Sequence, residues 1–129
     1  MMVPEVSDID EQLSEENARA VLIAEQNDRF RKMLGLCPGI SGRIVHTQGI
    51  ADLGRAVIEK LLAALVAFED FSEDNDPFGQ HDFGIIILEG ASVYWKIDLY
   101  DAAYEFGSET PEDPEVTRRV LTLLLPSEY

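Results

Sequence analysis

The chain has 129 residues, and its 25 acidic side chains against 10 Lys and Arg leave a formal net charge of −15. A chain of that length fits one domain and buries roughly two-thirds of its unfolded surface. The 46% apolar content is that of a folded protein, so disorder throughout is excluded, and the charge disfavours nucleic acid and anionic lipid as direct partners. Cys37 is the only cysteine, so no disulfide forms within the chain. Met1–Glu5 lacks the basic and apolar regions of a signal peptide, and the apolar run Leu61–Phe68 is too short to span a bilayer. A cytoplasmic protein with no membrane association is expected.

Residues 1–13 carry Glu5, Asp8, Asp10 and Glu11 without a base and read as a flexible acidic leader, leaving residues 14–129 as the folded domain. Ser14 reads as a helix N-cap, with Glu15 and Glu16 at the positive end of the dipole. Ala20, Ile23, Asn27, Phe30 and Leu34 share one helical face. Arg31 and Lys32 fall in the last turn, and Gly35 closes the helix. Asn27 interrupts the apolar stripe, so its side chain is expected to bond the backbone of a neighbouring loop, because a buried amide without partners costs about 1–3 kcal/mol.

Arg43–Thr47 predicts a short strand, with His46 as a structural or surface histidine near the loop of Cys37. Leu53–Phe68 predicts a second helix, apolar around most of its circumference and therefore buried on more than one side. Phe83–Leu88 and Ala91–Tyr100 predict a hairpin turning at Glu89-Gly90. Val93, Trp95, Ile97 and Leu99 point one way in it, and Tyr94, Lys96, Asp98 and Tyr100 the other. Tyr104–Gly107 can add a third arm, followed by an acidic linker at 108–113. Asp113-Pro114-Glu115 signals a last helix through Val116, Val120, Leu121 and Leu124, with a terminal strand as the competing reading. The fold expected is α+β: helices on a small antiparallel sheet in the order α-β-α-β-β-(β)-α, one compact domain.

The turn-rich run Glu73–Gly84 holds the densest polar chemistry. A two-residue turn pairs Leu88 with Ala91. Counting back places Ile85 opposite Tyr94, Phe83 opposite Lys96 and His81 opposite Asp98. A His–Asp pair at that spacing either pins the loop to the sheet or serves as an acid–base dyad, with Asp82, Asp76 and Lys96 nearby and Tyr94 and Tyr100 as walls. Against the calcium-loop pattern, Asp74, Asp76, Gly79 and Asp82 match positions 1, 3, 6 and 9, while Phe78 and Ile85 fail at 5 and 12. The segment is no EF-hand, and a divalent cation on Asp74 and Asp76 is the weaker alternative to a simple turn. No phosphate loop, nucleophile elbow, HExxH helix or zinc spacing occurs, so no cofactor is expected.

Four motifs nevertheless resemble a known family. They are Asn27-Asp28-x-Phe30-Arg31, Asp74-Asn75-Asp76-Pro77-Phe78-Gly79-x-His81-Asp82-Phe83-Gly84, Trp95-Lys96-Ile97-Asp98-x-Tyr100-Asp101, and Arg119-Val120-Leu121-Thr122 with terminal Glu128-Tyr129. Together they resemble the domain of unknown function 3768 family over roughly residues 20–129. The resemblance implies bacterial origin, often on mobile elements, and brings no established activity. The leading expectation is a non-enzymatic acidic module for a basic protein partner, regulating it or blocking a nucleic-acid-binding protein by presenting carboxylates in place of phosphates. Its motive is the charge concentrated at residues 5–16, 69–82 and 105–115. The rivals are a small enzyme or cation-binding protein centred on His81 and Asp98, and a homodimer joined through the second helix.

Overall fold

The computed structural model describes residues 6–129, with side chains characterised from residue 9 onward. Helix α1 runs Val6–Lys32. It starts well before the expected Ser14 cap, because no Gly or Pro interrupts the sequence from Val6 to Met33 and a cap signal alone does not end a helix. The expected leader therefore contributes residues 6–13 to α1, and residues 1–5 lie outside the described residues. From residue 9 to residue 22 helix α1 is almost wholly exposed, and burial begins in earnest at Ile23.

Strand β1 (Gly42–His46), the short helix α2 (Gln48–Ala51) and helix α3 (Arg55–Ala67) follow. Only Leu61 and Leu65 of α3 are fully buried, while Ala56, Glu59, Lys60, Ala63 and Ala67 face solvent. This corrects the expectation of a helix covered on more than one side. Small and long-stemmed residues occupy its outer face, and the apolar excess there is largely alanine.

Strands β2 (Phe83–Leu88) and β3 (Ala91–Tyr100) pair antiparallel in the expected register, Leu88 with Ala91 through Phe83 with Lys96. Glu89 and Gly90 both have positive φ (53° and 83°), as a type I′ turn requires. The third arm shrinks to a single bridge, Tyr100 with Gly107. Residues Arg118–Leu124 form strand β4, not a helix. It lies between β1 and β3, parallel to the first and antiparallel to the second. Its alternating burial follows from those two partners, and the Asp113 carboxylate that signalled a helix cap instead accepts the Glu115 N–H in a local turn at 3.0 Å. A terminal 3₁₀ turn covers Pro126–Glu128.

The result is an α+β domain whose four-stranded sheet, ordered β1-β4-β3-β2, is mixed rather than purely antiparallel. One face carries Ile86, Val93, Trp95, Ile97, Leu121 and Leu123 and packs against Phe30 of α1 and Leu61 and Leu65 of α3. Any Cβ at Gly84 would collide with the Trp95 indole and the Phe68 ring, so the indole fills the space that this glycine leaves. On the other face, among the described residues, the terminal 3₁₀ turn is the helical element in contact with β3. This face carries Phe83, Ile85, Ile87, Tyr94, Lys96 and Asp98, with Tyr129 of the terminal turn packed edge-on against Phe83 and Tyr94.

Candidate functional site

The acidic loop between α3 and β2 is built by its own side chains. Asn75 Oδ1 accepts the Ser72 N–H at 2.8 Å, Asn75 Nδ2 donates to the Asp70 carbonyl at 3.0 Å, and the Asp76 N–H bonds the Ser72 carbonyl at 2.7 Å. Asp76 is buried, and its carboxylate accepts the His81 N–H at 3.1 Å. His81 sits at φ 54°, a left-handed conformation uncommon outside glycine.

That one dihedral corrects the expected dyad. The ladder holds as far as Asp82, whose carbonyl accepts the Ile97 N–H at 2.8 Å. His81 then turns the chain off the sheet and toward α1. Its Nδ1 lies 2.9 and 3.0 Å from the two Asp28 oxygens, its Nε2 lies 3.7 Å from Asp76 Oδ2, and its ring stacks on Phe71 with centroids 3.9 Å apart. Asp98 instead accepts from Lys96 Nζ at 2.9 Å.

Sequence reasoning missed the two arginines that organise this inner side. Arg31 is fully buried. Its Nη1 donates to the Leu65 carbonyl at 2.6 Å, meeting the negative end of α3, and its Nη2 reaches Asp28 at 3.1 Å. The guanidinium also lies over Phe71 and Trp95, 5.6 and 5.4 Å from the ring centroids. Arg119 is buried too, with neutral partners: Asn27 Oδ1 at 2.7 Å and Gln26 Oε1 at 2.8 Å. Burial lowers its pKa to about 10, so it stays charged at neutral pH, and its Nη1 has no partner among the described residues. Asn27 completes the band by donating to the Gln80 carbonyl at 3.0 Å, the loop-backbone bond expected of it.

The outer side of the loop is different. Asp74, Asp82, Lys96 and Asp98 line a cleft of about 540 Å³ together with Phe78, Phe83, Glu128 and Tyr129. Burial, with Asp76 and Asp98 adding repulsion, raises the Asp82 pKa. The hydrogen bond to Asp98 raises that of Lys96. Tyr94 stands behind this cleft through its contacts with Phe83 and Tyr129, whereas Tyr100 lies opposite Arg118 toward the far end of β3 and lines none of it. A second cleft of about 670 Å³ runs between α1, the loop and residues 109–112, walled by Glu16, Arg19, Gln80, Glu109 and Glu112. Phe78, 78% exposed, forms the ridge shared by both.

Of the eight residues singled out in the sequence, the structure thus joins Asp74, Asp82, Lys96 and Asp98 at the outer cleft and places His81 and Asp76 on the inner side. Asp74 and Asp76 point to different surroundings, and among the described residues no three His, Cys, Asp or Glu side chains gather as a cation site. Cys37 is buried with its thiol toward the Pro38 carbonyl, and His46 is exposed.

The family described as protein of unknown function (DUF3768) matches residues 46–128, well over half of the chain. The chain belongs to that family. The match holds the acidic loop, the hairpin and β4, and leaves the α1 motif outside it. No curated protein and no solved structure matches the chain.

Proposed function

We propose that this member of the family is a non-enzymatic protein-binding module whose partner presents a basic surface. One observation carries the reading: between Lys60 and Lys96 the chain has no Lys or Arg, and this stretch supplies the exposed loop tip where Phe78 stands between two carboxylate-lined clefts. An exposed aromatic flanked by acids suits an apolar anchor ringed by cations from the partner. The histidine that suggests acid–base chemistry is engaged by Asp28 and Asp76 instead. Carboxylates presented in this way also compete with phosphates for the same basic partner, so a nucleic-acid-binding protein is the finer reading of who that partner is.

The test is calorimetric titration of the full chain with an arginine-rich peptide. Binding is expected to weaken as salt rises, because the attraction is screened. Phe78→Ala should weaken it about tenfold, and DNA should compete for the peptide. A peptide affinity that ignores salt, or no binding at low salt, defeats the proposal.

A further inference from the structure

We infer that the β2 edge of the sheet accepts an extended basic segment of the partner as a fifth strand. The inference rests on the basic-partner reading and gives it a place and a geometry. β2 is one of the two edge strands. The Asp82–Ile97 backbone bond fixes which residues of β2 face β3. Hydrogen-bonded and non-hydrogen-bonded pairs alternate along an antiparallel ladder, so Gly84, Ile86 and Leu88 bond inward. Phe83, Ile85 and Ile87 therefore direct their N–H and C=O groups outward, and among the described residues no backbone or side-chain group bonds them.

Natural edges are usually blunted by a charge, a proline, a bulge or short length. The other edge follows that rule: β1 has five residues, of which Arg43 and His46 carry polar groups. β2 has none of these defences. Its six residues are Phe-Gly-Ile-Ile-Ile-Leu, paired without a bulge, with Ile85 37% and Ile87 74% exposed.

Charge selects the occupant. The stretch from 61 to 95 that contains β2 carries Glu69, Asp70, Glu73, Asp74, Asp76, Asp82 and Glu89 and no Lys or Arg. A second copy of this chain would bring the same seven carboxylates to the same edge. A strand bearing Lys or Arg meets Asp82 at one end of β2, while at the other end Glu89 holds Lys60 at 2.9 Å; its main chain completes the ladder and its apolar side chains cover Ile85 and Ile87.

The probe is a short peptide alternating lysine and valine, paired with an analogue N-methylated on alternate residues, which keeps charge and side chains but loses half its strand donors. Amide hydrogen exchange should slow at Phe83, Ile85 and Ile87 with the parent peptide. The analogue should bind about tenfold or more weakly. Ile87→Lys, at an exposed position, should weaken the parent peptide to a similar degree. Ile87→Pro, which removes an outward N–H and no ladder bond, should do likewise. Equal affinity for both peptides, with exchange slowed elsewhere, overturns strand addition and leaves the basic-partner reading standing. No binding of either peptide at low salt sinks both. Protection of Ile85 and Ile87 without peptide, together with a doubled mass in sedimentation, assigns the edge to a second copy and overturns the inference.

Discussion

The two sides of the acidic loop have similar residues and opposite arrangements. Inward, His81 is tied to Asp76 through its N–H and to Asp28 through its ring, and it shares the Asp28 carboxylate with buried Arg31. Outward, Asp74, Asp82 and Asp98 line an open cleft with Lys96 as the lone base. Inside, carboxylates act as structural acceptors because a buried arginine and an imidazole need them. Outside, the acids exceed their partners, and the excess is available to another molecule. Composition alone cannot separate the two, since each side is rich in aspartate.

The sharpest way to break the contrast is to remove the inner cation. Arg31→Ala leaves the end of α3 without its donor and Asp28 with His81 alone, and loss of one member of a buried charged set typically costs about 3–5 kcal/mol. Urea unfolding should show a loss of that order, and a shift under about 1 kcal/mol would mean the inner band is dispensable. The next effect is the coupling of His81 to Asp28. His81→Ala and Asp28→Asn should each cost about 1–3 kcal/mol. Their double mutant should cost less than the sum by about 0.5–3 kcal/mol, and strict additivity contradicts the bond.

On the outer side, Asp82 makes a signed prediction. Its pKa in the fold lies above the ordinary 3.8, chiefly through burial. The folded form therefore holds that proton more tightly than the unfolded one. Its contribution favours folding most below pH 3.8 and declines as pH rises through the raised value. Asp82→Asn should accordingly raise the melting temperature at pH 7, with the gain shrinking toward pH 3; a gain that grows on acidification contradicts the sign. The smallest effect belongs to Lys96→Met. The Lys96–Asp98 pair is about 40% exposed on both sides, so its removal should change stability by less than about 1 kcal/mol.

The hairpin was legible in the sequence because its register is set by a local turn, Glu89-Gly90, and a period of two does the rest. The same count failed at His81, since a single left-handed residue ends a ladder without announcing itself in the apolar pattern. Strand β4 was misread for a different reason. Asp113-Pro114-Glu115 is a sound local helix signal, but the state of residues 118–124 is decided by partners far away in sequence, at 42–46 and 94–100. Asn27 was recognisable as a polar intrusion on an apolar face. Arg31, four residues on, read as an ordinary last-turn cation, and nothing in its spacing marked it as the group that reaches α3. Arg119 stands just before the apolar run Val120–Leu125, beside Arg118, and nothing in its spacing marked it as buried, although both Arg31 and Arg119 fall within motifs that carried the family resemblance.

The position of β4 also bears on how the protein is made. The strand that lies second in the sheet is synthesised last among the four, so a nascent chain holding everything up to Thr117 has a completed hairpin with one raw flank on β3 and a β1 with no neighbour. Joining β1 requires a contact across more than seventy residues, which places sheet closure after translation of β4, and contacts so distant in sequence are slow to form. Until then the apolar flank of β3 stays open to off-pathway pairing, and the acidic excess of residues 1–117, 24 Asp and Glu against 8 Lys and Arg, keeps such half-built chains apart.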